Sequence, residues 1–303
     1  MDLVKVVIPA AGLDAAFLPF TKVIPKAMLP ILEKPALQYI VEEAIGSEVT
    51  NVLMVAGKGR QLINEFFEKC FMLDAFLPSD RRQVLASINK ILESVEFSYL
   101  GQHEPLGSGH AVWLARHAIH KENFGVMMPD DIIVSKVPAL AQLLKIARQE
   151  KGSVIAVQEV PSSCISNYGA VKVRKQITPN LFQLSGIVEK PKPKDAPSNL
   201  AVVGRYILSS KIFQVLDDAI RFEGRFDLTS AIDQMIRAGE KVFAYKINGL
   251  RFDIGTPAGW IKANLGLALQ DPRLGEQVRQ FVQELDSPNS FVYKSAKALE
   301  QQL

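Results

Sequence analysis

Short β-branched apolar runs alternate with amphipathic stretches along this chain, and that alternation limits the fold more than any other feature. In the first half the runs are Val4–Ile8, Asn51–Ala56, Val95–Leu100 and Phe124–Met128. Between the first two, residues 36–45 place Leu37, Ile40, Val41, Ala44 and Ile45 on one helical face, with Pro35 just ahead, where a proline is tolerated. Strand, loop, helix, strand predicts an α/β fold. After Gly152 the strands come closer together, at Ser153–Val157, Ala170–Arg174, Leu181–Glu189, Val202–Leu208 and Val242–Lys246, so the second half is richer in strand. Residues 60–93 read as a helix-leaning insertion that includes Arg81 and Arg82. Residues 190–197, Lys-Pro-Lys-Pro-Lys-Asp-Ala-Pro, read as a stiff polar loop. The tail from Pro257 is helical by pattern. With no internal repeat and no sharp linker, we expect a single domain over 1–303. Its parts are a first half (1–150), a strand-rich second half (151–256) and C-terminal helices (257–303).

Composition narrows the class. At 303 residues and 48% hydrophobic the chain has enough apolar material for a large core. A net charge of +3, from 35 basic and 32 acidic residues, is not the strongly basic balance of a nucleic-acid binder. Cys70 and Cys164 are too far apart for a CxxC pattern and too few for a disulfide scaffold, so a reducing cytoplasm is the default expectation. Asp2 and the short apolar run after it do not suit a signal peptide, and no stretch approaches a membrane span.

The first strand runs into Pro9, Ala10, Ala11, Gly12 and Leu13, small residues at the end of a strand where open α/β sheets commonly bind ligands. There is neither a GxGxxG nor a GxxxxGK[ST] pattern. The next segment is more specific: Thr21 and Lys22, then Pro25 and Lys26, then Glu33-Lys34-Pro35 opening a helix. Further matches follow in order. They are Gln102 with Gly107-Ser-Gly-His-Ala-Val112, Met128-Pro-Asp-Asp131, Tyr168-Gly169, Val188-Glu-Lys-Pro191, Ser198-Asn199 with Val203-Gly-Arg-Tyr206, and Phe252-Asp-Ile-Gly255. On these segments the chain resembles the sugar-phosphate nucleotidyltransferases, and most closely their bacterial uridylyltransferase branch, over nearly its whole length.

The resemblance implies a Rossmann-like mixed, mostly parallel sheet flanked by helices, with a smaller strand-rich sugar-binding part. It implies binding of UTP and glucose 1-phosphate, Mg²⁺ as cofactor, release of pyrophosphate as UDP-glucose forms, and a homo-oligomer, dimer or tetramer. Carried over residue by residue, it assigns the base to Ala10, Ala11 and Gly12 with Gln102 and Gly109 opposite. Lys26 would meet the nucleotide phosphates and Lys190 the sugar phosphate. Tyr168, Gly169 and Glu189 would hold the sugar, and Asp130 and Asp253 the metal. The chemistry is consistent with this: attack of one phosphate on another needs positioned cations and a hard metal more than a base. Each residue also has an ordinary alternative. Aspartates cap turns, lysines in proline-rich loops are solvated (as expected for Lys192 and Lys194), and His110 packs locally.

Two places depart from the family pattern. Where the family reads Gly-x-Gly-Thr-Arg, this chain has Gly12, Leu13, Asp14, Ala15 and Ala16, and where a glutamate follows Gly224 it has Arg225. Two like charges about 4 Å apart repel by roughly 4 kcal/mol at an effective dielectric of about 20, so Asp14 must turn away from a bound phosphate or weaken its binding. Loss of a phosphate-clamping arginine costs about 10³-fold or more in phosphoryl transfer. Arg225 either restores the missing cation or lies on the surface. Two expectations stand: an active nucleotidyltransferase, or a catalytically impaired homologue that binds a nucleotide sugar as a regulatory or structural subunit.

Overall fold

The computed structural model describes residues 5–12, 14–57, 59–78, 85–223 and 226–286. Val4, Leu13, Arg81, Arg82, Gly224, Arg225 and the tail beyond 286 lie outside the described residues. The strands are β1 (Lys5–Ala10), β2 (Pro30–Ile31), β3 (Lys34–Pro35), β4 (Asn51–Ala56), β5 (Glu96–Gly101), β6 (Phe124–Met127), β7 (Asp131–Val134), β8 (Ser153–Glu159), β9 (Gly169–Thr178), β10 (Leu181–Glu189), β11 (Leu200–Leu208), β12 (Val242–Lys246) and β13 (Leu250–Asp253). The α-helices are α1 (Ala36–Gly46), α2 (Arg60–Phe66), α3 (Phe71–Phe76), α4 (Ala86–Ser94), α5 (Ser108–Leu114), α6 (Arg116–Ile119), α7 (Ala139–Glu150), α8 (Ile212–Glu223), α9 (Leu228–Arg237), α10 (Pro257–Ala268) and α11 (Gly275–Asp286).

Nine strands form one sheet in the order β5-β4-β1-β6-β11-β8-β12-β10-β9. The first four are parallel; β11 runs antiparallel to both β6 and β8, and β10 antiparallel to both β12 and β9. The sheet therefore continues through both halves of the chain. From β1 the chain moves to β4 on one side and later to β6 on the other, so the order reverses at β1 and leaves a crevice beyond the ends of β1 and β6.

The alternation of side chains across the pleat explains why these runs are strands. Val6 and Ile8 pack on one face with Val52 and Met54, against Leu37, Ile40 and Val41 of α1 and Leu140 and Leu143 of α7. Val7 packs on the other face with Leu53 and Val55, against Ala111 and Val112 of α5, Leu216 of α8 and Ile232 of α9. Both faces are covered, so the central strands read as continuous apolar runs. Each fully buried Val, Leu or Ile contributes about 1.5–3 kcal/mol relative to exposure.

The segment read as an insertion is the crossover between the parallel neighbours β4 and β5. Its Ile63, Phe67 and Ile91 are buried in the first core cluster beside Phe97 and Tyr99 of β5. The short pair β7 and β13, which the sequence pattern did not indicate, sets Asp253 opposite Asp131. Among the described residues no helix is long and apolar enough to cross a membrane, and both cysteines are free thiols.

Candidate active site

Two adjoining cavities open at the crevice. The smaller, about 260 Å³, is bordered by Ala10, Ala11, Gly12, Asp14 and Gln102. The larger, about 850 Å³, is bordered by Tyr168, Gly169, Glu189, Lys190, Arg251 and Asp253. Lys26, Ser108, Met128 and Asp130 border both.

Lys26 stands at the junction, its side chain 15% exposed, with Nζ 3.1 Å from Asp130 Oδ2 and 3.2 Å from Asp14 Oδ1. Burial works to lower its pKa, but the carboxylates of Asp130 and Asp14 outweigh that and hold the ammonium above the ordinary lysine value. Asp14 has not turned away. Its backbone is left-handed (φ 47°), a conformation that aspartate tolerates, and its Oδ2 accepts the Lys26 backbone N–H at 3.2 Å. Of the two expectations for Asp14, turning away is not met: its carboxylate forms a direct ion pair with Lys26.

The metal candidates are held by a buried scaffold. Asp130 follows β6 in a loop whose flanking carbonyls, Met128 O and Asp131 O, accept from Arg205 at 3.1 and 2.7 Å. Arg205 is fully buried and its charge is matched by Glu43, which takes Nη2 at 2.8 Å and Nε at 3.0 Å. Asp131 points inward: its Oδ2 accepts Gly204 N–H at 2.8 Å and its Oδ1 pairs with Arg251 Nε. Burial pushes Asp131 up from the ordinary carboxylate pKa and Arg251 opposes it. Arg251 reaches Asp253 Oδ2 at 3.1 Å, where the Tyr168 hydroxyl also donates at 2.8 Å, while Gly255 N–H holds Oδ1 at 2.9 Å. A Cβ on Gly255 would lie 2.9 Å from Asp253 Oδ1 and 3.8 Å from Asp130 Oδ2, so the two carboxylates border one point that only a glycine leaves clear.

Among the described residues no group of three or more His, Cys, Asp or Glu could cage an ion. Two convergent carboxylates beside an open cavity do fit Mg²⁺, which keeps waters and takes phosphate oxygens.

In the larger cavity, a Cβ on Gly169 would meet Thr229 Cγ2 at 3.0 Å and Glu189 Oε2 at 3.4 Å, so glycine leaves main chain and carboxylate reachable together. Burial raises the Glu189 pKa, and a hydrogen bond from Thr229 works against the shift. Lys190 is 64% exposed, with Nζ 3.9 Å from Glu189 Oε1; its backbone is left-handed (φ 45°) and its N–H bonds Tyr168 O at 3.1 Å.

The structure brings Ala10, Ala11, Gly12 and Gln102 to the smaller cavity. Gly109 is set back from it. Its N–H donates to Phe226 O at 3.0 Å and an added Cβ would stand 2.8 Å from that oxygen, so Gly107 and Ser108 line the wall in its place. Gln102 Nε2 is 2.8 Å from His110 Nδ1, and burial lowers the His110 pKa, which agrees with a local packing role. Sequence reasoning missed Arg251 and Arg205. Arg251 directly precedes the Phe252-Asp-Ile-Gly segment, which was the available signal, whereas nothing local marks Arg205 as buried.

Comparison with known proteins identifies the family. Residues 5–270 match the family model described as nucleotidyl transferase. A UTP–glucose-1-phosphate uridylyltransferase of Staphylococcus epidermidis is 38% identical over 284 residues, covering 93% of this chain and 98% of the relative. A UDP-glucose pyrophosphorylase solved with UDP-glucose superposes with a TM-score of 0.83 at 32% identity, over 89% of this chain and all of that one. The UTP-bound UGPase of Acinetobacter baumannii gives 0.85 at 34% identity, over 94% of this chain and all of that one. The chain belongs to the nucleotidyl transferase family.

Proposed function

We propose that this chain is a UTP–glucose-1-phosphate uridylyltransferase, joining UTP and glucose 1-phosphate into UDP-glucose with release of pyrophosphate. The observation that carries the reading is Lys26 at the junction of two cavities, with Asp130 beside it and Gly169, Glu189 and Lys190 beyond. Relatives named for this activity, and neighbours solved with UTP and with UDP-glucose, support the substrate pair.

A phosphate oxygen of glucose 1-phosphate attacks the α-phosphorus of UTP; the new P–O bond forms as the bond to the β-phosphate oxygen breaks, and pyrophosphate leaves with the electron pair. The nucleophile is already anionic at neutral pH, so no base is required, and the chain's task is to position and neutralise. Lys26 meets the nucleotide phosphates. Lys190 holds the sugar phosphate, and Glu189 accepts hydrogen bonds from sugar hydroxyls. Asp130 and Asp253 would hold Mg²⁺, which when bound supplies positive charge for the phosphates.

Pyrophosphate release from UTP and glucose 1-phosphate, measured in a coupled assay with Mg²⁺ and again after chelation, tests the reading. Turnover that depends on all three components is expected. The alternative, a homologue that binds nucleotide sugar without turnover, is favoured by Asp14, Ala15 and Ala16. It predicts UDP-glucose binding with no pyrophosphate released.

A further inference from the structure

The loop after β1 carries its own anion. One carboxylate, that of Asp14, takes both donors of the lysine at the cavity junction: Oδ1 is 3.2 Å from Lys26 Nζ and Oδ2 is 3.2 Å from Lys26 N. A Cβ on Gly12 would stand 2.9 Å from Asp14 Oδ1, so the carboxylate also lies against the main chain of Gly12. From behind, Asp14 O accepts the Thr21 hydroxyl at 2.8 Å and Phe17 N–H at 3.1 Å, which fixes the residue in place. The Asp14 side chain is 13% exposed, so the pair is screened far less than a surface ion pair. With Asp130 also on Lys26 Nζ, two carboxylates face one ammonium. A chain that kept glycine at position 14 would present an ammonium paired with Asp130 alone and a free Lys26 N–H beside Gly12, which together suit a phosphate.

We propose that Asp14 is a specificity-determining residue whose carboxylate occupies an anion seat made by Gly12, Lys26 N and Lys26 Nζ, so that the distal phosphates of a nucleoside triphosphate must displace it. The inference rests on the proposed function and adds which nucleotide the site prefers. Asp14 borders only the smaller cavity, whereas Lys26 and Asp130 border both. A nucleoside diphosphate sugar extends past Lys26 into the larger cavity and leaves Asp14 seated. A triphosphate carries additional charge onto Asp14. The site therefore favours the nucleotide sugar over the triphosphate, and the penalty falls on binding of UTP.

Asp14→Asn keeps the size, the acceptor for Lys26 N–H and the tolerance for a left-handed backbone, and removes only the charge. Asp14→Gly is a second variant, unstrained in that conformation. Calorimetric titration of the unaltered protein and both variants with UTP, UDP-glucose and inorganic pyrophosphate, all with Mg²⁺, is the test. Tightening of about tenfold or more for UTP and pyrophosphate is expected, with less than about threefold for UDP-glucose. Equal changes for UTP and UDP-glucose, or no change for either, would overturn the proposal and leave the uridylyltransferase reading standing. Tighter pyrophosphate binding by the variants, with no nucleotide bound by any of the three proteins, would uphold the occupied seat and overturn the uridylyltransferase reading.

Discussion

Replacing Glu43 by glutamine should be among the most damaging single changes outside the cavities. Arg205 is fully buried and the Glu43 side chain is 7% exposed. The guanidinium gives two nitrogens to Glu43, at 2.8 Å from Nη2 and 3.0 Å from Nε, and the rest of its donors to Met128 O, Gly204 O and Asp131 O. Glu43 Oε1 also accepts Leu140 N–H at 3.0 Å, which ties α1 to the start of α7. Glutamine removes the charge and turns an –NH₂ toward donors, leaving a buried cation without its counterion. Breaking a buried pair in this way costs about 3–5 kcal/mol. That is a large share of a total stability of about 5–15 kcal/mol. At roughly 2–4 °C per kcal/mol for a domain somewhat smaller than this one, the melting temperature should fall by on the order of 10 °C. Urea unfolding followed by circular dichroism measures the loss directly. Because Arg205 holds the carbonyls on both sides of Asp130, the Mg²⁺ concentration for half-maximal activity should rise as well. A loss below about 1 kcal/mol with an unchanged denaturant slope would show that the Glu43 charge is not what secures the loop. Removing both partners, as Glu43→Met with Arg205→Met, should not recover the stability, since Met128 O, Asp131 O and the Leu140 N–H would then be orphaned at about 1–3 kcal/mol each.

Lys190→Ala should weaken glucose 1-phosphate binding at least about tenfold while Lys192→Ala changes it little, because only Lys190 borders the larger cavity; saturation kinetics on both variants will show it. Glu189 has a raised pKa in the folded chain, so the carboxylate proposed to accept sugar hydroxyls is lost on acidification starting above its ordinary value. Affinity for UDP-glucose should accordingly fall as pH drops through that raised value, and the same component should be missing from the pH profile of Glu189→Gln in titration calorimetry. For stability the sign is opposite. Both forms are protonated below the unfolded pKa, and as pH rises from there burial of the charge disfavours the native state, so Glu189→Gln should be relatively more stable near neutrality than near pH 4. Changing Asp14, Ala15 and Ala16 together to Gly, Thr and Arg should raise kcat for pyrophosphate release by about 10³-fold if the missing arginine limits the step, and lower the KM for UTP through loss of Asp14. An unchanged kcat would place the limiting defect elsewhere.

What the sequence makes legible follows from how each element is stabilised. Residues 51–56 and 181–189 can be bounded from sequence alone because their strands are largely buried and their apolar content is local information. β7 and β13 are four residues each and carry Asp131, Arg251 and Asp253. Their strand character comes from pairing with each other across more than a hundred residues, which no local pattern records. Arg205 lies in a matched segment, yet its burial is not legible for the same reason, since its counterion Glu43 is 162 positions away. Residues 60–93 look like an interruption because their apolar positions recur at helical rather than strand spacing, yet any parallel neighbour of β4 requires a crossover of about that kind. Site identities carried by motif arrive at the crevice, while the direction of a side chain does not follow from a motif. Asp14 reveals its charge in the sequence and its contact with Lys26 only in space.

The distribution of the departures bears on whether the chain has decayed or been redirected. Against the family pattern, Asp14 adds a negative charge and Ala16 lacks a positive one. Both changes make the loop after β1 more negative, and Asp14, which borders the smaller cavity, is accommodated by a left-handed backbone, two donors from Lys26 and the Thr21 hydroxyl. At the other end of the crevice Glu189 with Thr229, Asp253 with Tyr168 and Arg251, and Gly169 with its close neighbours remain mutually satisfied. Random loss of function would leave mismatched groups across both cavities. Among the described residues only two buried side-chain atoms lack partners, Asn64 Oδ1 and Tyr99 Oη, and neither residue borders the two cavities. The change at Asp14, compensated where it occurs, alters which ligand is held while leaving the means of holding a nucleotide sugar in place.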